Sequence, residues 1–594
     1  MPLMLKILPV ALLALSIVSP PAGLIGFAGI GPLADPVSAW SSSPFAGARL
    51  LEQLVLAVLV GAGLREWRKG GRLRLLAPAL LFAALGLASA IAEQPAMLMQ
   101  RLPELSAWDH VVAFFAGGYF SRSGTSDPIY FSLLTVEGVA LAVTAERLAR
   151  ADRQIVPRVV RMTLAGCAGL SLLTLLRILG AALRSADFLP SLKRLLLIRW
   201  SYVPDVNAAG SLYLLVIIAG AGLMFVPGRS RSLACAALLV TGFGFWMTGS
   251  RTAFLALPLA VIALAVVAAV RQRVRLQWIA IGITAGVVAT VVAVLVIYPW
   301  SSRGNASAGD ATMARRIMAR TALNMWRDAP IAGAGIGRFY DQSSRYGAAA
   351  LLTIQGPPPN QNAHNNFLQV LAEEGVVGLA ALFILLASVV VPVIRTERAS
   401  PDVERRFLLA AVSAYVLTWL AGHPQLVAEA ALPFWLLTGT LVATTDPPRA
   451  SRWRIATVAT AAVVFVTAPV RANSAIRHGD FEYVGIGVSH WFPDLDGIRY
   501  REAGAVFAVY LPADGSAVDV PLRRAPSAPE PLVLSVSLGG RALQDFTITG
   551  DGWAQLFLRL PNENRRYQLV RFAAKGVGAD AAPPVVLVGK TARR

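Results

Sequence analysis

The sequence predicts a polytopic α-helical membrane protein of about 12 to 13 transmembrane helices with a C-terminal periplasmic β-sandwich domain. Three observations predict it. The 594 residues are 56% hydrophobic and only 15% charged, with a mean hydropathy of +0.59, and the apolar residues come in runs long enough to cross a bilayer. Arginine-rich stretches recur at every second connection between those runs, as positive-inside topology requires. From Asn473 onward the apolar runs shorten to strand length and alternate with polar residues.

The formal net charge of +20 does not point to nucleic acid. The basic residues sit in short clusters between apolar runs, with no basic domain and no interleaved aromatics. Cys167 and Cys235 both fall inside apolar segments, which argues against a disulfide framework and against a cysteine metal site. No His/Asp/Glu cluster has metal-ligand spacing, and no metal or other cofactor is expected. A phosphate-binding P-loop and a serine nucleophile elbow are also missing. GAGIG at 333–337 follows no strand in a βαβ setting, so nucleotide binding is not indicated.

A helix rises 1.5 Å per residue and the hydrocarbon is about 30 Å thick, so spans of about 20 apolar residues are the unit. They fall near 5–24, 47–64, 74–92, 129–146, 162–183, 207–226, 232–248, 252–270, 277–298, 374–394, 406–422, 429–445 and 454–470. The connections at 65–74, 147–161, 227–231, 271–275, 395–406 and 447–454 are arginine-rich and are assigned to the cytoplasm. The others then face outward, including the turn at Gly249 to Arg251, the long loop from Tyr298 to about Glu373, and everything after Arg471. Four regions follow: an N-terminal transmembrane bundle (1–298), a large outer loop (299–373), further transmembrane helices (374–471) and the β-domain (472–594). Strand-like segments in that last region are AVFAVYL, LVLSVSL, FTITG, WAQLFLRL, YQLVRFAA and PVVLVG, separated by Gly, Pro and Asp turns.

Residues able to carry chemistry gather on the outer side. Gln355 to Leu379, QGPPPNQNAHNNFLQVLAEEGVVGL, is a polar, proline-rich loop that runs directly into an apolar helix. Asn366 with Gln369 three positions later resembles a helix start in which Asn caps the backbone and Gln reaches back. His364 then sits just ahead of the first turn, where the positive end of the helix dipole favours a phosphate and a neutral imidazole, the form a general base requires. Glu373 lies nine residues on, about 180° around a continuous helix, and cannot share a face with His364. It is expected to be structural. Arg251, in MTGSRTAFLAL, stands at an outer span end against the positive-inside trend. Arg199 and Asn207, in RWSYVPDVNAAG, occupy the same boundary. In the long loop, Arg315, Arg316 and Arg320 lie on an expected helix, with Arg316 and Arg320 on one face. Together these arginines and His364 form a clamp suited to a multiply charged phosphate at membrane depth.

The long outer loop closing with AHNNFLQVLAEEGVVGLAAL resembles the O-antigen ligase and O-antigen polymerase superfamily. The shared pattern is His364-Asn365, Leu368 four residues after the histidine, then Glu373-x-Gly375-x-x-Gly378. TGSR at a span start, an arginine-bearing helix followed by DAPIAGAGIGRF, and RWSYVPDVNAAG add to it, so that the likeness covers about residues 195–440. The resemblance implies a bacterial inner-membrane glycosyltransferase acting on its periplasmic face. Such an enzyme moves a glycan from undecaprenyl diphosphate to an acceptor, with inversion and without metal. By the same resemblance His364 activates the acceptor hydroxyl, and Arg251 and Arg316 hold the donor diphosphate. Arg199, Asn207 and Asn365 are further binding candidates, Arg315 or Arg320 can stand in for Arg316, and His423 borders the site from the outer turn. Glu373 and Gly375 fall to support. With the lipid A core as acceptor the enzyme is a ligase, with another lipid-linked repeat a polymerase, and with a protein side chain an oligosaccharyltransferase. A different class, a transporter or flippase of a lipid-linked glycan, would also place arginines near helix ends.

Overall fold

The computed structural model describes residues 2–34, 50–66, 72–93, 127–198, 200–225, 231–271, 308–347, 362–448, 452–466 and most of 485–593. The helices in chain order are α1 (Pro2–Val18), α2 (Pro20–Ile30), α3 (Leu50–Glu66), α4 (Leu76–Glu93), α5 (Asp127–Ala151), α6 (Ile155–Leu183), α7 (Phe188–Leu197) and α8 (Val206–Ala221). They continue with α9 (Arg231–Thr248), α10 (Arg251–Arg271), α11 (Ala308–Asp328), α12 (Arg338–Gln342), α13 (Asn366–Ala399), α14 (Val403–Thr418), α15 (Ala428–Ala443) and α16 (Arg452–Val466).

Among the described residues, four segments are long and apolar enough to cross a membrane: Ile155–Leu183, Val206–Phe225, Arg231–Thr248 and Asn366–Ala399. Shorter apolar helices lie at Ile7–Val18, Leu76–Ile91, Arg251–Val267 and Ala428–Ala443. Apolar side chains such as Leu172, Leu176, Leu239 and Phe383 stay exposed on the outside of the bundle, where a lipid environment takes them at no cost. The span expected at 5–24 is two helices instead. Pro20 and Pro21 offer no backbone N–H and cannot continue α1, so the chain breaks at Ser19 and restarts with proline in its first turn. The span expected at 277–298 lies outside the described residues.

Arginines from three of the arginine-rich connections meet at one end of the bundle. Glu146, fully buried near the end of α5, accepts from the backbone N–H groups of Arg74 at 2.7 Å and Leu75 at 2.9 Å and from Arg150 Nε at 2.9 Å. Arg150 Nη1 then donates to Thr445 O at 2.6 Å, and Arg74 Nη2 to Asp446 O at 2.9 Å. Glu397 holds both Arg405 and Arg406, while Arg405 Nη1 reaches Thr444 O at 3.1 Å. These guanidinium groups thus bind carbonyls at the C-terminal end of α15, where a helix leaves acceptors unpaired. The 16 residues of α15 set its two ends about 24 Å apart, and the turn bearing His423 leads into the opposite end.

The C-terminal region is a nine-stranded antiparallel sheet ordered β5-β4-β7-β2-β8-β3-β6, with β1 on β2 and β9 on β3. The strands are β1 (Gly485–Leu495), β2 (Ile498–Pro512), β3 (Ala517–Arg524), β4 (Leu532–Leu538), β5 (Arg541–Ile548), β6 (Ala554–Arg559), β7 (Tyr567–Ala574), β8 (Val586–Gly589) and β9 (Ala592–Arg593). Strand β2 organises it. Val509 pairs with β1 on one edge and β7 on the other, whereas Arg501 pairs with β1 and β8. The sheet therefore parts into two leaves along β2, and alternate residues Phe507, Val509 and Leu511 point into one core shared with β3, β4, β6 and β7. Phe507 and its partner Phe572 stack with ring centroids 4.8 Å apart.

Candidate functional site

The mouth of α13 is built from amides. Asn365, not Asn366, is the cap: its side-chain oxygen accepts from Leu368 N at 3.0 Å. Gln369 does reach back, but to Ala363 N at 2.8 Å, two residues ahead of the cap. Its Nε2 donates to Glu373 Oε1 at 2.7 Å, and the same oxygen accepts from Phe339 N at 2.9 Å. Glu373 thus faces the outer loop and ties it to the helix.

Gly375 breaks α13 with φ 66° and ψ −165°. The loop carrying GAGIG runs into the break: Ala334 N donates to Ala372 O and Gly335 N to Glu373 O, each at 2.9 Å, and Val376 N returns to Pro330 O at 3.0 Å. Carbonyls freed by the break are thereby satisfied. A Cβ at Gly375 would lie 2.2 Å from Ile331 O, and one at Gly333 would lie 2.2 Å from the Glu373 carbonyl carbon. The spacing of Glu373, Gly375 and the glycine-rich turn is the sequence of a backbone crossing.

That crossing sets the position of His364. His364 has φ 49°, in the left-handed region where non-glycine residues are uncommon. Its ring is half-buried and lies 4.8 Å from that of His423, inclined at 57°. Asn366 N donates to Trp419 O at 2.9 Å and Asn365 Nδ2 to Leu420 O at 3.0 Å, so the helix mouth is fastened to the turn that carries His423. His423 is buried, with Nε2 3.9 Å from Asp205 Oδ2. The other Asp205 oxygen caps α8, accepting from Asn207 N at 2.8 Å and Ala208 N at 2.7 Å. Burial lowers the His364 pKa first; Asp205 pulls it up, and the Arg315 charge pushes it down again. The net effect is downward, which favours the neutral imidazole.

Two arginines complete the arrangement. Burial, and then the charge of Arg251, lowers the Arg315 pKa, which places the two guanidinium groups in one field. Arg251 opens α10, half-buried, behind the left-handed Gly249 at φ 55°. The segment ahead of α8 docks on the same turn, since Trp200 N donates to Met247 O at 3.0 Å and Arg177 stacks over Trp200 at 4.5 Å. Along α11, Ala314, Met318, Ala322 and Met325 form the buried stripe. At about 100° per residue Arg315 stands at the margin of that stripe, while Arg316 and Arg320 both fall on the opposite side of the helix. All three are exposed; of the three, Arg315 is the one whose charge acts on His364. Asn207 lies in the first turn of α8, half-buried beside Asp205. Arg199 lies outside the described residues.

Sequence reasoning passes over Asp205. Its signal is present, an Asp directly before an apolar run, which marks a helix N-cap. Such a cap does not disclose that its second oxygen faces a histidine more than 200 positions away.

These features define a helical protein with apolar spans and a cluster of two histidines and an aspartate, within the field of arginines, at the end of the bundle opposite the buried Glu146 network. Residues 236–384 match the family model described as O-antigen ligase, so this part of the chain is similar to that family. It takes in Arg251, Arg315, the glycine crossing and His364. No curated protein matches the chain.

Proposed function

We propose that this protein is a membrane glycosyltransferase of the O-antigen ligase type. It transfers a glycan from undecaprenyl diphosphate to an acceptor on the periplasmic face, with the lipid A core as the acceptor we favour. The observation that carries the proposal is the gathering of His364, Arg251 and Arg315 from three distant segments, within the family match. A neutral imidazole accepts the proton of an attacking hydroxyl. The guanidinium groups neutralise the diphosphate as the bond to the anomeric carbon breaks, and this electrostatic stabilisation needs no metal. Arg316 supplements them at the rim. The meeting of Arg74, Arg150 and Arg405 at the opposite end supports an outward-facing site. We read the two-leaved sheet as a β-sandwich on the periplasmic side.

The test is reconstitution in lipid vesicles with undecaprenyl-diphosphate glycan. Wild-type protein glycosylates lipid A core, and His364→Ala lowers transfer by at least about a hundredfold. Transfer only to another lipid-linked repeat makes the protein a polymerase, and transfer only to a protein makes it an oligosaccharyltransferase. Absence of transfer to all three acceptors, with the glycan instead crossing the vesicle bilayer, would establish a transporter and sink the transferase reading. A periplasm-active reporter joined after Arg471 and found inactive would reverse the orientation.

A further inference from the structure

We propose that Asp205 and His423 are positioning residues that hold His364 ready to take a proton and stabilise the imidazolium it becomes. The proposal rests on the transfer reaction above. Its first support is the constraint on Asp205: one oxygen is fixed by two backbone N–H groups at 2.7 and 2.8 Å, so the other is aimed at His423 Nε2, 3.9 Å away. A second support is the burial of His423 under the His364 ring. The third is the cost of an anion at this site. The Asp205 charge acts on the same imidazole as the Arg315 charge, so it weakens the local positive field for a diphosphate, and a neutral cap would avoid that loss, since Asn caps a helix as well as Asp. The charge has to be repaid elsewhere in the cycle.

The imidazolium is where it is repaid. The acceptor oxygen bonds to the anomeric carbon, the bond from that carbon to the diphosphate breaks, and polyprenyl diphosphate leaves with the electron pair. The hydroxyl proton passes to His364. The positive charge so formed faces Arg315 from α11, with Arg251 behind it, and is offset by Asp205 from α8 across the neighbouring ring of His423. Where Arg315 opposes protonation of His364, Asp205 favours it.

The test is the pH dependence of transfer by the reconstituted full-length protein carrying Asp205→Asn, Asp205→Ser or His423→Gln. Asn and Ser both retain the cap, so loss of the helix start is controlled. We expect kcat to fall about tenfold or more, the donor KM to stay level or drop, and the acidic limb of kcat/KM to move to lower pH for Asp205→Asn. A wild-type kcat with an unmoved limb in Asp205→Asn and Asp205→Ser would overturn the proposal, and so would a loss confined to donor KM. His364→Ala separates the two readings. Full activity in that variant removes the histidine chemistry altogether, whereas an inactive His364→Ala beside an unaltered Asp205→Asn removes only the positioning role of Asp205.

Discussion

The rings of His364 and His423 lie 4.8 Å apart at 57°, although one precedes α13 and the other follows α14. The contact joins two outer turns whose backbones are already fastened by Asn366 N to Trp419 O at 2.9 Å. Two imidazoles this close disfavour double protonation, and burial disfavours even one charge. Protonation of His364 therefore works against both its burial and the charge of Arg315.

A pH asymmetry follows from Arg315. Transfer by a neutral His364 is lost as pH falls through its pKa, which burial and Arg315 depress. The acidic limb of kcat/KM, which reports the free enzyme, is then expected below the ordinary histidine value of about 6.5. A bound diphosphate offsets the Arg315 charge, so the limb of kcat, reporting the complex, is expected at higher pH. Measuring both on one preparation decides it; a kcat limb at or below that of kcat/KM would separate Arg315 from the donor.

The three arginines of α11 are expected to differ. Arg315→Ala should lower kcat/KM by about 10- to 100-fold, the loss of a charged hydrogen bond, and should move the acidic limb of the free enzyme upward by removing a neighbouring cation. Arg316→Ala and Arg320→Ala, farther from the buried stripe, are expected to cost less than about fivefold and leave the limb in place. A larger loss from Arg316→Ala than from Arg315→Ala would return the diphosphate to the residue that the family resemblance favours.

What is legible in the sequence follows from the range of each signal. Apolar length and arginine placement are local, and the described helices overlap the runs they indicate, except where a Ser-Pro-Pro break divides an apolar run that looks continuous by hydropathy; the run at 277–298 lies outside the described residues. Strands β2, β4, β6 and β7 alternate over enough of their length to be seen, and β8 shows as a short apolar run between turn residues. β1 is interrupted by Gly487 and carries three register shifts, so it shows no simple period of two; β3 alternates at Val518, Val520 and Leu522, but its Pro521 and flanking charges mask it as a strand signal. For the site, His364 and the glycine pattern can be singled out because they share one stretch. The choice of Arg315 over Arg316 needs the buried face of α11, and Asp205 needs the fold.

Gly375 is expected to tolerate no side chain. Gly375→Ala would put a Cβ 2.2 Å from Ile331 O at φ 66°, and either the crossing loop or the break must move. A loss of about 1–3 kcal/mol from the positive φ alone, with the clash added, should appear as a lower thermal midpoint and a lost transfer rate. Gly333→Ala disturbs the same crossing from the other side, so the double variant should cost less than the sum of the two. Strict additivity would mean that the two glycines serve separate contacts.

Glu146 tests whether the two ends of the bundle are independent. It is fully buried and accepts from Arg74 N, Leu75 N and Arg150 Nε, so Glu146→Ala leaves Arg150 without its carboxylate and two backbone donors without an acceptor. Breaking a buried pair in this way costs about 3–5 kcal/mol, and the unfolding midpoint in detergent should fall steeply. The pH limbs of transfer by the folded fraction should not move. The length of α15 separates this end from His423 by about 24 Å, well beyond the screening length of about 8 Å at physiological salt. A shifted limb in Glu146→Ala would show that the arginine-rich end sets the charge of the histidine pocket through the helices between them.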